Sequence, residues 1–281
     1  MALRKKKVVA DNQRTLRLIT RSKSFAYVEA YKALRTNLDY IAGSTEGAKV
    51  IMITSSMPSE SKTNTAVNLS VSLAQAGKKV ILLDCDLRKG MLHRYLRIPR
   101  QSAGISTLLA GEASLGEALH HFQDLQIDVL TAGYVPANPS ELLGSPAMGN
   151  LLKTLAANYD YVICDTAPIN VVSDAAALGR YADGAVLVVS HNLVTRESAL
   201  AAKAALENAN VHILGAVLTQ YDAKKSGSKA YTYYNYNYGD GYGYGQTHRS
   251  KSGGEAKRPD SSSGSSSAKR ASSSSAPRRA K

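Results

Sequence analysis

The residues best suited to chemistry begin with a lysine and a hydroxyl, Lys62-Thr63. They close the stretch Ile51-Met-Ile-Thr-Ser-Ser-Met-Pro-Ser-Glu-Ser-Lys-Thr63. An apolar strand, Val50 to Thr54, runs into a short polar turn, and a helix-like run from Ala66 to Ala76 follows. This is the layout in which backbone N–H groups curl round a phosphate and a helix N-terminus faces the anion. The lysine reaches the β/γ-phosphates as a point charge and the hydroxyl ligates Mg²⁺. In the frame G-x-x-x-x-G-K-[ST], however, Ser56 and Ser61 take the glycine positions. Glycine serves there where the turn needs positive φ, which serine adopts only at a steric cost. Taken by itself, the stretch also reads as an ordinary strand-turn-helix with a surface lysine.

Two further apolar runs end in acids. Val80-Ile-Leu-Leu leads into Asp84-Cys-Asp86-Leu-Arg88, and Tyr161-Val-Ile-Cys leads into Asp165. Continuous apolar runs of this length suit strands buried in a parallel sheet, whose carboxyl ends gather the ligand-binding residues. A lone Asp ending a strand is ordinarily a cap or turn residue. Three of them behind a lysine turn supply what phosphoryl transfer needs: a phosphate clamp, a metal seat and an acceptor that orients the nucleophile.

Around these motifs the chain alternates strands and helices. Helical segments are expected over Ser24–Tyr40, over residues 104–122, at Leu151–Leu155, at Ala175–Leu178 capped by Ser173-Asp174, and at Thr195–Asn208. Strands are expected at Ile127–Thr131, Gly184–Val189 and Val211–Leu218. Asn138-Pro-Ser-Glu-Leu-Leu143 opens a loop-to-helix segment. The alternation predicts an α/β fold of P-loop NTPase type: a mainly parallel sheet with helices on both faces.

The length, 281 residues, suits one α/β domain of about 220 residues plus tails. Residues 1–23 and 246–281 carry +7 each against a total of +13, which leaves −1 for residues 24–245. A near-neutral body with basic ends argues against a nucleic-acid-binding protein. Such ends suit anionic membrane surfaces or simple solubility. Cys85 and Cys164 form no ligand cluster, so a structural metal is not expected, and lone thiols suit a reducing cytosol. No apolar run approaches membrane-spanning length, and Met1–Lys7 holds no apolar signal core. The expected location is the cytoplasm. The organisation expected is a flexible basic arm (1–23), a P-loop domain (24–222), a Tyr-rich segment (223–245) and a Ser/Lys/Arg low-complexity tail (246–281).

The Tyr-rich segment holds Tyr231, Tyr233, Tyr234, Tyr236, Tyr238, Tyr242 and Tyr244, seven of the chain's 16 tyrosines. It has no large aliphatic residue to build a core. Composition leaves three readings open: a sticky linker, a stacking surface for bases, or a row of phenol nucleophiles for the site's own γ-phosphate.

In combination these features resemble the bacterial tyrosine kinases of capsular and exopolysaccharide synthesis, over roughly residues 24–245. Asp84-x-Asp86-x-Arg88 resembles that family's second Walker motif, and Tyr161–Asp165 its Walker B. Asn138-Pro-Ser-Glu-Leu-Leu and Ser173-Asp174 match further family strings. Glu29-x-x-Lys32-x-x-Arg35 resembles its oligomerisation motif E-x-x-R-x-x-R, with lysine for one arginine, although a solvated helix face with one ion pair is the plainer reading.

The resemblance implies ATP- and Mg²⁺-dependent autophosphorylation of the tyrosine cluster in trans within a ring. It implies nucleotide-binding residues Ser56, Pro58, Ser59, Glu60, Ser61, Lys62, Thr63 and Asn64. The metal would fall to Thr63, Asp86 and Asp165, and the tyrosine proton to Asp84. It also implies the split form of the family, recruited to the inner face of the membrane by a polysaccharide chain-length regulator, opposed by a cognate tyrosine phosphatase, with other protein substrates and no nucleic acid. Ser59 and Ser61 stand where the family has P-G-E-G-K, which puts ATP affinity or rate in doubt. Lys32 lacks arginine's fork, which weakens the expected ring. The alternatives are a partitioning-type ATPase of the same branch, which usually carries an additional lysine where this chain has Ser55 and Ser56, and a scaffold that binds nucleotide weakly.

Overall fold

A computed structural model describes residues 16–22, 24–42, 49–191 and 193–221. The tyrosine segment, the low-complexity tail and residues 1–15 of the basic arm lie outside the described residues.

After a 3₁₀ turn (Ile19–Arg21), the elements run α1 (Phe25–Ala42), β1 (Lys49–Ser55), α2 (Lys62–Ala74), β2 (Val80–Asp84), α3 (Leu92–Tyr95), α4 (Ile105–Leu109), α5 (Leu115–Ala118), β3 (Leu119–Phe122) and β4 (Ile127–Leu130). There follow α6 (Pro139–Leu143), α7 (Pro146–Ala156), β5 (Tyr161–Asp165), α8 (Asp174–Gly179), β6 (Gly184–Ser190), α9 (Arg196–Asn208) and β7 (Ile213–Thr219). Among the described residues the strands form one sheet in the order β3-β4-β2-β5-β1-β6-β7. All neighbours are parallel except β3 and β4.

Successive side chains of a strand face opposite ways, and here both faces are covered. Val50 and Met52 of β1 join one apolar cluster with Leu143, Leu152, Leu178 and Leu206 from α6 to α9. Ile51 and Ile53 join a second cluster with Tyr31, Leu38, Leu69 and Leu73 from α1 and α2. The α/β expectation holds, with the core split between the two faces of one sheet.

Four local expectations are corrected. The helix after the phosphate turn begins at Lys62, not Ala66, so Lys62 and Thr63 occupy its first turn. Residues 104–122 are not one helix. Gly111 takes φ 74°, the short α5 ends, and Leu119–Phe122 runs antiparallel to β4 as an edge strand. Ser173 precedes α8 but its side chain makes no capping bond, because its hydroxyl lies against that of Ser140 at 3.0 Å. Residues 16–22, expected within the flexible arm, dock on the body instead. Ile19 is buried, the N–H groups of Arg17 and Ile19 donate to the amide oxygens of Asn64 and Asn68, and the Arg17 guanidinium lies over the Tyr27 ring.

Among the described residues no helix is long and apolar enough to cross a membrane.

Candidate active site at the carboxyl edge of the sheet

In the strand order β2, β5 and β1 are consecutive, and the pairing aligns Asp84 with Asp165 and Asp165 with Ile53. Three apolar strands are thereby cut off at one level. Their ends deliver the phosphate turn, the Asp84–Asp86 pair and Asp165 to one place.

Lys62 Nζ stands 3.2 Å from Asp86 Oδ2 and 3.5 Å from Asp165 Oδ1. All three side chains are largely buried. Burial alone would lower the lysine's proton affinity, but Asp165, Asp86 and Asp84 outweigh it and hold the ammonium above its ordinary value. Asp84 is wholly buried, and its Oδ2 accepts the N–H of Leu92 at 3.0 Å. Burial, then the Asp165 charge, push its carboxyl up to about 8. Asp165 is likewise raised by burial, against the opposing pull of Lys62 and the Thr63 hydroxyl.

Three carboxylates thus face one cation. Two of their oxygens, Asp84 Oδ1 and Asp165 Oδ2, are buried with no hydrogen-bond partner. Such atoms are costly unless a donor or a cation meets them. Among the described residues no three acidic, histidine or cysteine side chains close into a cage. Mg²⁺ asks for no cage, since it is usually held through one or two carboxylates, water and substrate phosphates. The donor set therefore fits that ion, with Thr63, Asp86 and Asp165 as the residues to hold it.

The turn itself is formed by serines in glycine conformations. Ser59 has φ 77° and Ser61 φ 68°. Ser61 stands at the N-cap of α2 without a side-chain capping bond, so the first amides of the helix are left for an anion. The turn is braced from behind by Glu60, which was expected to bind nucleotide. Its carboxylate is fully buried, accepting the Ser56 hydroxyl at 2.6 Å, the Met57 N–H at 2.5 Å and the Ser190 N–H at 2.9 Å. The side chains of Ser56 and Glu60 are therefore turned to each other. Asn64 is also turned away: its amide bonds the backbone of Arg17 and the phenols of Tyr27 and Tyr31. Pro58 is exposed on the outer rim of the turn.

Thr219, Gln220 and Gly90 carried no signal in the sequence. At the end of β7 the Thr219 hydroxyl donates to the Glu60 carbonyl at 2.9 Å. Gln220 Nε2 donates to the Ser59 carbonyl and the Ser61 hydroxyl, each at 3.2 Å. Gly90 lies against the Asp84 carboxylate so closely that a Cβ there would come within 2.7 Å of Oδ2. Arg88 grips the buried Asp174 with two bonds, 2.9 and 3.0 Å long, and Ser140 donates to the same carboxylate at 2.5 Å. The motifs around Asp84, Asn138 and Ser173 are thus tied together beside the site.

Glu29 and Lys32 pair at 2.7 Å on the half-exposed face of α1. Arg35 does not join them, since its Nη1 donates to the Ser72 carbonyl of α2 at 2.7 Å. A cavity of about 470 Å³ between Lys49, Lys78 and Tyr159 lies at the opposite, amino edge of the sheet and takes no part.

A family model described as an AAA domain matches residues 48–192. The tyrosine-protein kinase YwqD of Bacillus subtilis is 41% identical over 231 residues, which span 82% of this chain and 96% of YwqD. Full-length tyrosine-protein kinase etk of Escherichia coli is 37% identical, and the match spans only 32% of its length. The solved kinase domain of that protein superposes with a TM-score of 0.64 at 37% identity, covering 70% of this chain and 78% of the domain. The septum site-determining protein MinD of Pyrococcus horikoshii, solved with Mg-ADP, is more distant, with a TM-score of 0.53 at 25% identity over 62% of this chain and 71% of MinD. With a mostly parallel sheet of this order, a lysine turn facing three strand-end aspartates, and identity of this extent to YwqD, the chain belongs to the bacterial tyrosine-protein kinases built on the P-loop NTPase fold.

Proposed function

We propose that this kinase transfers the γ-phosphoryl group of ATP to its own tyrosine cluster, Tyr231, Tyr233, Tyr234, Tyr236, Tyr238, Tyr242 and Tyr244, of a second copy in a ring. The observation that carries the reading is the Lys62–Asp86–Asp165 contact together with two orphaned carboxylate oxygens, Asp165 Oδ2 within it and Asp84 Oδ1 beside it. Lys62 and the first amides of α2 hold the phosphates in line. Mg²⁺ on Thr63, Asp86 and Asp165 supplies charge neutralisation at the phosphate oxygens when bound. The phenol oxygen bonds to the γ-phosphorus, the bond to the β-phosphate oxygen breaks, and ADP leaves. Asp84 takes the phenol proton. Its Oδ1, buried without a hydrogen-bond partner, is the atom left to accept it.

The site's place in capsule or exopolysaccharide synthesis, its recruitment to the inner membrane face by a chain-length regulator, a cognate tyrosine phosphatase and further protein substrates belong to the same reading. They are supported by the kinship to kinases such as the putative tyrosine-protein kinase CapB of Staphylococcus aureus. The Glu29–Lys32 face of α1 is the part of the oligomerisation motif left open for a second copy.

The likeness to MinD favours one other reading, an ATPase that switches partners. Incubation of the full chain with γ-labelled ATP and Mg²⁺ separates the two, with Lys62→Met as control. Label on Tyr231–Tyr244 that the control lacks is expected. Free phosphate without labelled tyrosine would sink the kinase reading in favour of the ATPase. Labelling that vanishes in Asp86→Asn but persists in Asp84→Asn would move the proton acceptor to Asp86.

A further inference from the structure

A second cavity, of about 390 Å³, opens beside the aspartates. Its size is that of a small-ligand pocket. One wall is the loop from Leu87 to Leu92, the same loop whose N–H groups at Lys89 and Leu92 hold Asp86 and Asp84. The cavity and the transfer site are therefore separated by a single loop.

Besides His93, Gly90 and Gly133, the lining is of two kinds. Leu87, Met91, Ala132 and Val135 offer apolar surface, while Lys89, Arg94 and Arg100 put cations round it. No acidic side chain lines it. Lys89, Arg94 and Arg100 are exposed, and among the described residues none of them is paired with a carboxylate. Arg88, also on the wall, is already engaged with Asp174. An apolar trough ringed by three unpaired cations suits a ligand with a flat apolar body and a strongly anionic end.

The chain carries the precursor of such a group seven times between Tyr231 and Tyr244. Unmodified, that stretch has one acid, Asp240, and no claim on three cations. Each phosphorylation adds an aryl phosphate with a charge of about −1.5 to −2. The tyrosines recur at every second residue from Tyr234 to Tyr238, and again at Tyr242 and Tyr244. Two residues of extended chain span roughly 7 Å. A phosphotyrosine held behind the Leu87–Leu92 loop thus keeps its unmodified neighbours close to Asp84 and Asp86.

We infer that this cavity is a docking site for phosphotyrosine, occupied by an already modified tyrosine of a second copy's 231–244 segment, so that the first phosphorylation accelerates those that follow. The inference rests on the proposed autokinase reading for its occupant, but the binding it requires is measured without catalysis.

The probe is a synthetic peptide of residues 229–246, unmodified or phosphorylated on Tyr238, titrated into full-length Lys62→Met protein, which cannot modify it. The phosphopeptide is expected to bind at least about tenfold more tightly, as befits one charge-assisted hydrogen bond. Arg94→Ala with Arg100→Ala, both exposed and outside the Lys62–Asp86–Asp165 contact, is expected to erase the preference and leave the fold intact by circular dichroism. Equal affinity of the two peptides overturns the inference. So does a preference that survives the double substitution, or displacement of the phosphopeptide by ADP, which would assign the cavity to nucleotide. In the otherwise wild-type chain, the same pair of substitutions should leave the first phosphate per chain at its normal rate and slow the later ones severalfold. A uniform slowing overturns the sequential role. If the labelled-ATP experiment yields no phosphotyrosine while the phosphopeptide still binds, the autokinase reading has failed and the docking site has not.

Discussion

The two serines of the phosphate turn should respond differently to replacement by glycine. Ser59 and Ser61 both sit at positive φ, 77° and 68°. A left-handed conformation costs an L-residue about 1–2 kcal/mol, which glycine avoids. Glycine in turn adds unfolded-state freedom of about 0.4–1 kcal/mol. Ser59→Gly gives up no bond to Gln220, which is made to the Ser59 backbone carbonyl, so it should stabilise the fold by about 0.5–1 kcal/mol. Ser61→Gly removes the hydroxyl that receives Gln220 Nε2 at 3.2 Å, a bond of about 0.5 kcal/mol at an exposed position, and should come out near neutral. For a domain of this size, the Ser59 change corresponds to a rise in Tm of about 1–3 °C. Thermal and urea unfolding of the two variants and the parent measure both values. Affinity for Mg·ATP should stay within about threefold of the parent, because the turn already holds the dihedrals that glycine would adopt. A destabilised Ser59→Gly variant, or equal shifts at the two positions, would refute the assignment of strain and of the Gln220 tether.

Four other substitutions test the same geometry. Glu60→Gln turns one acceptor of the buried brace into a donor facing the N–H of Met57 or Ser190. It should cost about 1–3 kcal/mol in urea unfolding and raise KM for ATP more than it lowers kcat. Arg35→Ala strips the Ser72 carbonyl of its partner and should destabilise the isolated chain by about 1 kcal/mol. Lys32→Ala, whose pair is half-exposed, should leave unfolding within about 0.5 kcal/mol and show its effect in oligomer size by sedimentation; the reverse pattern would remove Lys32 from any interface. Gly90→Ala drives a methyl group into the Asp84 carboxylate, and phosphotransfer should fall at least tenfold, as displaced catalytic groups do, with KM for ATP little changed.

The legible parts of this molecule are those in which hydropathy and position coincide. Ile51–Thr54, Val80–Leu83 and Tyr161–Cys164 read as buried parallel strands because both faces of such strands need apolar side chains. Once they are parallel neighbours, the convergence of Lys62, Asp84, Asp86 and Asp165 follows from geometry. The illegible parts are polar side chains turned inward. Glu60 lies in a serine-rich turn where a carboxylate is exposed by default, and the Ser56 hydroxyl with the N–H groups of Met57 and Ser190 makes its burial tolerable. Gln220 is the first residue past an apolar strand, with nothing to mark its reach back to the phosphate turn. Arg35 matched a spacing that suggested a partner in another copy, and a carbonyl on the neighbouring helix already holds it. In each case one of the partners is a backbone atom distant in sequence, the N–H of Ser190 or the carbonyl of Ser59 or Ser72, and backbone acceptors and donors are the same at every position. Residue types therefore locate where the chemistry gathers, whereas the turn's rigidity is set by backbone atoms that residue types do not distinguish. That is why serine can stand in for glycine at Ser59 and Ser61: Glu60, Thr219 and Gln220 hold the backbone in the shape that glycine would have made easy.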